Sequence, residues 1–171
     1  MLKARINNPA MLFPEAMQHL QALSQVSEQS GVPTKTLALM HLRASQINGC
    51  AVCIDLHVRF PKYKEESTER LLAVAAWRDA PFFTDAERAA LALTEAVTRL
   101  NDREDPVPDS VWDHAAKHYN EKELGGLLLT IALVNVWNRL NVATRQVAGE
   151  WFKSSEGKTH IAHLEKASAA R

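Results

Sequence analysis

Residues 124–137, LGGLLLTIALVNVW, form the most apolar run of the chain, and their length decides what they can be. Fourteen residues make about 21 Å of helix, short of a ~30 Å hydrocarbon core, so the run is expected as a helix buried by its neighbours. Asn120 and Glu123 ahead of it match a capping box, and the helix should continue through residue 146. A helix apolar on most sides needs others to cover it.

The rest of the chain supplies them. "FPEAMQHLQALSQVSEQSG" sets Met17, Leu20, Leu23 and Val26 on one stripe, with Gly31 as a C-terminal stop. "TKTLALMHLRAS" follows Pro33 with Thr34 as its N-cap, and "EESTERLLAVAAWRD" should stay helical until Pro81. Thr84 and Glu87 form a second capping box opening "TDAERAALALTEAVTRL". After the polar loop "DREDPVPD", Asp109 should cap the short helix "DSVWDHAAKHY". No stretch alternates as a strand does. The expected fold is all-α: a helical bundle forming one domain over residues 1–171, with a compositionally different tail over 150–171.

Charge and termini exclude several functions. Twenty basic residues balance twenty acidic ones, and the clusters "FPKYK" and "ATRQ" are short and interrupted, so a nucleic-acid partner is not expected. The N-terminal "MLKARINNPAMLFPEAM" lacks the apolar stretch of a signal peptide. A cytoplasmic protein with no membrane attachment is expected. In a reducing compartment, paired cysteines point to catalysis, redox sensing or metal rather than to a structural staple.

Both cysteines of the chain fall within "NGCAVCIDLH", residues 48–57. On a helix Cys50, Cys53 and His57 share one face. Asn48 and Gly49 would break the chain ahead of them and leave Cys50 in or near a first turn, where free amides and the helix dipole favour a thiolate. Acidity alone gains little. Lowering a thiol pKa from ~8.5 to ~6.5 raises the thiolate fraction at pH 7 about twenty-fold. Nucleophilicity falls roughly eight-fold over the same shift, leaving a net gain near three-fold. Rapid chemistry at such a thiol therefore needs positioning and a proton for the departing group, a role suited to His57. Zinc is a competing use of Cys50, Cys53 and His57, with a fourth ligand from His114, His118, His160 or His163. Inert core packing is another.

"LRASQINGCAVCIDLH" is very similar to the core motif of the alkyl hydroperoxidase D-like branch of the carboxymuconolactone decarboxylase superfamily. "RLLAVAAWRDAPFFTDAERAALALTEAVTRL" and "ELGGLLLTIALVNVWNRLNVATR" resemble the family's later helices, so the likeness covers about residues 15–147. It implies an all-helical homo-oligomer, a trimer or hexamer, that reduces hydroperoxides by cycling the cysteine pair between dithiol and disulfide. By this resemblance Cys53 is peroxidatic, Cys50 resolves the sulfenic acid, and His57 relays protons. The dipole argument alone favours Cys50 as the more acidic thiol; the resemblance and the proximity of His57 favour Cys53. The implied reductant is a lipoyl-bearing or thioredoxin-like protein or a small thiol, and neither cofactor nor metal is expected.

The family pattern has a relay glutamate twelve residues before its first cysteine, where this chain has Ala38. A histidine frequent before the second cysteine is Val52 here. Glu87 and Glu95 are candidate replacements, against their readings as cap and solvated face; Asp55 should point away. The rival function is a redox-responsive scaffold or small-ligand binder without turnover; decarboxylation, which needs no cysteine pair, is a weaker reading. Buried Asn135, Asn138 and Asn141 should satisfy backbone groups or a subunit interface. Arg139 is a candidate substrate contact, Trp77 and Arg78 candidate pocket walls, and His41 a neighbour that approaches the thiols or simply packs.

Overall fold

Caps and breakers divide the chain as follows: α1 (Pro9–Leu12), α2 (Pro14–Glu28), α3 (Thr34–Ile47), α4 (Ala51–Arg59), α5 (Thr68–Ala73), α6 (Asp85–Thr98), α7 (Asp109–Ala116), α8 (Glu121–Ala143) and α9 (Glu150–Lys153). The computed structural model describes residues 2–59, 66–155, 157–159 and 161–162, and no strand occurs among them. Both capping boxes form. Thr84 accepts from the Glu87 amide at 3.2 Å, and Glu87 accepts from the Thr84 amide at 2.9 Å. Asn120 and Glu123 exchange the matching pair at 3.1 and 2.8 Å. Each box satisfies amides that a helix start otherwise leaves bare.

Helix α3 lies at the centre, packed against α6, α8 and α4, while α2 lies on α8 and α7 on α6. Two apolar clusters hold this arrangement. Met40 of α3 meets Ala89, Ala90 and Leu93 of α6 and Leu127 and Ile131 of α8. On another side Leu39 and Leu42 meet Val74, Trp77, Phe83 and Leu91. Each such fully buried large aliphatic side chain contributes roughly 1.5–3 kcal/mol of transfer free energy. Tyr119 closes the α7 end by donating to the Ala86 carbonyl at 2.9 Å.

The structure corrects several expectations. Pro33 and Pro108, not Thr34 and Asp109, occupy the N-cap positions, because their fixed φ supplies the extended entry without a side-chain bond. The helix expected up to Pro81 ends at Ala73 and tightens into a 3₁₀ turn, Val74–Ala76. Arg88 explains the break: it donates to the Trp77 and Arg78 carbonyls at 3.0 and 3.1 Å and also to Ala80, taking the place of helical amides. Val26 is 56% exposed rather than facing inward. Helix α2 approaches α8 through buried Ser27 and Ser30 against Gly126 instead.

A Cβ at Gly126 would collide with the Cβ and Oγ of Ser30. Gly126→Ala is therefore expected to destabilise the fold by about 1–3 kcal/mol despite the better helix propensity of alanine. Chemical denaturation checks this, and Ser30→Gly should recover part of the loss. An unchanged midpoint for Gly126→Ala would contradict the tight α2–α8 contact.

The expectation for the apolar run also needs amending. Helix α8 has 23 residues, about 34 Å, so by length and composition it could cross a membrane. Half of its most apolar 18-residue window is buried inside the protein. Its buried face carries Thr130, Asn135, Asn138 and Asn141, whose polar groups find partners within the bundle.

Candidate functional site

The site is built on the turn from α3 into α4. Asn48 closes α3, and Gly49 follows at φ +65°, a left-handed conformation that glycine adopts without strain. The Cys50 amide then donates back to the Ser45 carbonyl at 3.0 Å, while its own carbonyl accepts the first α4 bond, from Ile54, at 3.0 Å. Cys50 thus stands at the mouth of α4, and Cys53 lies in its first turn. A disulfide joins them, with Cα atoms 5.3 Å apart. Both residues are buried, at 1% and 3% exposure, in a small apolar cluster with Val52 and Leu56.

Amides from α8 support the turn. Asn48 donates to Asn138 Oδ1 at 2.8 Å and to Asn135 Oδ1 at 3.0 Å. Asn138 donates to Ser45 Oγ at 3.1 Å, and Asn135 donates to the Ile131 carbonyl at 2.9 Å and to Thr98 Oγ1 at 3.3 Å. One turn further along, Asn141 donates to Cys53 Sγ at 3.3 Å. Three asparagines spaced by three on one helix face thus lock the hinge and reach the sulfur.

A cavity of about 160 Å³ opens beside Cys50, lined by Gly49, Cys50, Val52, Asn141, Arg145 and Gln146 among others. It has room for a small molecule of a few heavy atoms next to Cys50. On the other side His57 of α4 meets His41 of α3, with ring centroids 4.9 Å apart. Both imidazoles are half-buried.

Over 132 residues, 77% of this chain and 88% of the relative, the chain is 34% identical to the uncharacterized protein YdfG of Bacillus subtilis (strain 168). A profile of the Carboxymuconolactone decarboxylase family matches residues 14–96. The chain belongs to that family. Within it, the chain falls in the alkyl hydroperoxidase D-like branch. It matches a crystal structure of ATU0492 from Agrobacterium tumefaciens, a protein of unknown function assigned provisionally to antioxidant defence as AhpD. The TM-score is 0.77 at 34% identity, covering 85% of this chain and 98% of that one. The debrominase Bmp8 shares the fold at 18% identity, with a TM-score of 0.68 over 88% of this chain and 77% of that one.

For a carboxymuconolactone decarboxylase family chain, the placement of the acidic candidates is informative. Ala38 is buried where the branch pattern carries a glutamate. Glu87 is committed to its capping box and to Arg70, 2.6 Å away. Glu95 is not a solvated residue but a buried hub. Its Oε1 accepts from Arg43 at 2.7 Å and from Trp77 Nε1 at 2.9 Å. Its Oε2 accepts from Arg78 at 2.8 Å and from Arg99 at 3.1 Å. Burial raises its pKa, but the hydrogen bonds from Trp77, Arg78 and Arg43 and the charge of Arg43 outweigh that and hold it at about 2. Asp55 does point away, bonding Arg59 at 2.6 Å and the Gly149 amide at 2.9 Å.

Other candidates sort themselves similarly. Arg139 donates to the carbonyl and side chain of Asn135 on its own helix, at 3.1 and 2.8 Å, rather than into the cavity. Trp77 is core, with Arg78 stacked 4.3 Å from its ring. Asn135, Asn138 and Asn141 bond side chains within this chain. His114 of α7 meets His118, just beyond that helix, edge to face, and His160 and His163 lie outside the described residues. No group of three metal-ligating side chains occurs among the described residues.

Reading the sequence missed Asn48 and Asn8, and it left His41 undecided. The signal for Asn48 was present: polar amides repeating at 135, 138 and 141 in an apolar helix require a polar partner inside.

Proposed function

We propose that this protein is a thiol peroxidase that reduces small organic hydroperoxides through Cys53 and Cys50. The observation that carries the reading is the disulfide between them at the mouth of α4, with Cys50 lining a cavity of about 160 Å³. In the first step the Cys53 thiolate attacks the peroxide O–O bond, giving Cys53 sulfenic acid and an alkoxide. His57, one turn along α4, supplies the proton that converts the alkoxide to an alcohol. The Cys50 thiol then attacks the sulfenic sulfur, forming the disulfide and releasing water. Two electrons from a dithiol donor restore the reduced pair. A lipoyl-bearing or thioredoxin-like protein, or a small thiol, fits that role, approaching Cys50 from the cavity side.

His41 fills the gap left by Ala38. It lies three residues on from Ala38 on α3, and its ring stacks near His57. A proton leaving His57 has a second imidazole as its neighbour instead of a carboxylate. The same reading carries assembly into three or six copies. Helix α8 turns Leu129, Ala132 and Val136 outward on one stripe, a surface suited to another copy of the chain.

The test is a single-turnover thiol count. The reduced protein is mixed with one equivalent of an organic hydroperoxide, blocked with a maleimide and weighed intact. Loss of both labels within seconds is expected. Retention of both labels, in a protein that a disulfide donor oxidises readily, would make it a dithiol exchange or sensor protein. Native mass of the same sample reads the assembly, and a monomer would discard the oligomer.

A further inference from the structure

The segment ahead of the family-matched region is bound to the site. The Arg5 amide donates to the Thr144 carbonyl at 2.9 Å, and its guanidinium donates to Ala143 at 3.1 Å. Gln146 holds the Ile6 carbonyl at 2.9 Å. The two bonds from Arg5 satisfy carbonyls at the end of α8, where helical amides run out. They also deliver Asn8 to Asn141.

The direction of each amide in that contact follows from one fixed donor. Asn8 caps α1, its Oδ1 accepting from the Ala10 amide at 2.9 Å, and a backbone N–H can only donate. Asn8 Nδ2 must therefore face Asn141, 2.6 Å from Oδ1. With its oxygen occupied, Asn141 turns its Nδ2 toward Cys53 Sγ at 3.3 Å. A chain of two side-chain amides thus runs from a helix cap to the sulfur. Asn141 is 8% exposed, so water competes little for that N–H.

We propose that Asn141 and Asn8 are positioning residues that stabilise the Cys53 thiolate: Asn141 donates to the sulfur and Asn8 fixes the direction of that donor. Burial in an apolar cluster disfavours a thiolate, and a donor held on the sulfur opposes that penalty. The N-terminal segment is accordingly part of the redox site. This rests on the dithiol reading and explains why Cys53 is reactive although Cys50 holds the helix-mouth position. Among the described residues, the charged or titratable groups of the elements around the pair include His57 on α4, His41 on α3 and Arg145 beyond α8. Asp55 faces Gly149.

The test uses Cys50→Ser, which leaves Cys53 as the sole thiol because the chain has two cysteines. The rate of iodoacetamide alkylation is followed against pH. Asn8→Asp keeps the acceptor for the Ala10 amide but removes the donor to Asn141, so Asn141 turns over and presents its oxygen to the sulfur. The alkylation midpoint should rise by about one pH unit. Asn141→Leu should raise it comparably, and adding Asn8→Asp to Asn141→Leu should change nothing more. Asn141→Ser gives the same comparison if the leucine variant does not fold by circular dichroism.

An unchanged midpoint in the folded Asn141 variant would overturn the proposal. So would an Asn8→Asp shift that persists in full without Asn141, since the added charge would then act directly. No peroxide enters the measurement. A protein inert to hydroperoxide yet showing these shifts keeps the inference and loses the peroxidase reading.

Discussion

Cys53→Ser is expected to abolish peroxide consumption, with a loss of at least about a thousand-fold, because a serine hydroxyl at neutral pH is a far weaker nucleophile than a thiolate. Cys50→Ser should behave differently. Its first turnover proceeds at close to the wild-type rate, and Cys53 then stops as a sulfenic acid that a dimedone probe traps. Stopped-flow consumption of the hydroperoxide and intact mass of the adduct together separate the two roles. The asymmetry is the informative part. Cys50 has the amide-rich helix mouth, whereas Cys53 has the Asn141 donor and lies four residues before His57. Trapping the sulfenic acid on Cys50 in the Cys53 variant would reverse the assignment and return priority to the helix dipole.

The second large effect concerns Glu95. Glu95→Gln removes a buried charge and strands Arg43, whose side chain is 12% exposed. Leaving one partner of a buried pair uncompensated costs about 3–5 kcal/mol. For a domain of this size that corresponds to a melting temperature lower by about 10 °C. The pH dependence gives an independent handle. The carboxyl falls from an ordinary 4.5 to about 2 on folding, which amounts to about 3 kcal/mol of stability. Because the folded pKa is the lower one, that contribution is complete above pH 4.5 and disappears as pH falls through 2. Thermal unfolding of both proteins at neutral pH and near the acid limit should show curves that converge in acid. A gap that stays constant with pH would mean that shape, not charge, holds this cluster together.

Local patterns in the sequence were the ones that read correctly. The two capping boxes are set by residues three apart, so Thr84 with Glu87 and Asn120 with Glu123 announce themselves. The pairing of Cys50 with Cys53 is local in the same way, since the two lie three residues apart. Pro33 and Pro108 were passed over as caps because backbone geometry, not a side-chain acceptor, makes the entry there. The break after Ala73 was hidden because Arg88, on another helix, supplies its hydrogen bonds. Glu95 read as a surface residue because three of the four groups that converge on it, Arg43, Trp77 and Arg78, come from distant parts of the chain. His41 faces His57 across a helix pair, and Asn8 reaches Asn141 over 133 positions. Such contacts exist only once the chain has closed on itself, and single-residue preferences do not encode them.

The three-residue separation of the cysteines has a thermodynamic consequence. A cross-link restrains the unfolded chain according to the loop it closes, and one this short removes about 2 kcal/mol of disorder, against about 4.7 for a hundred-residue loop. Opening it therefore takes little from the fold, and the amide contacts of Asn48, Asn135 and Asn138 keep the hinge in place. Under the proposed dithiol chemistry, the pair would take up two electrons on opening and give them up on closing, within a frame that stands without the bond.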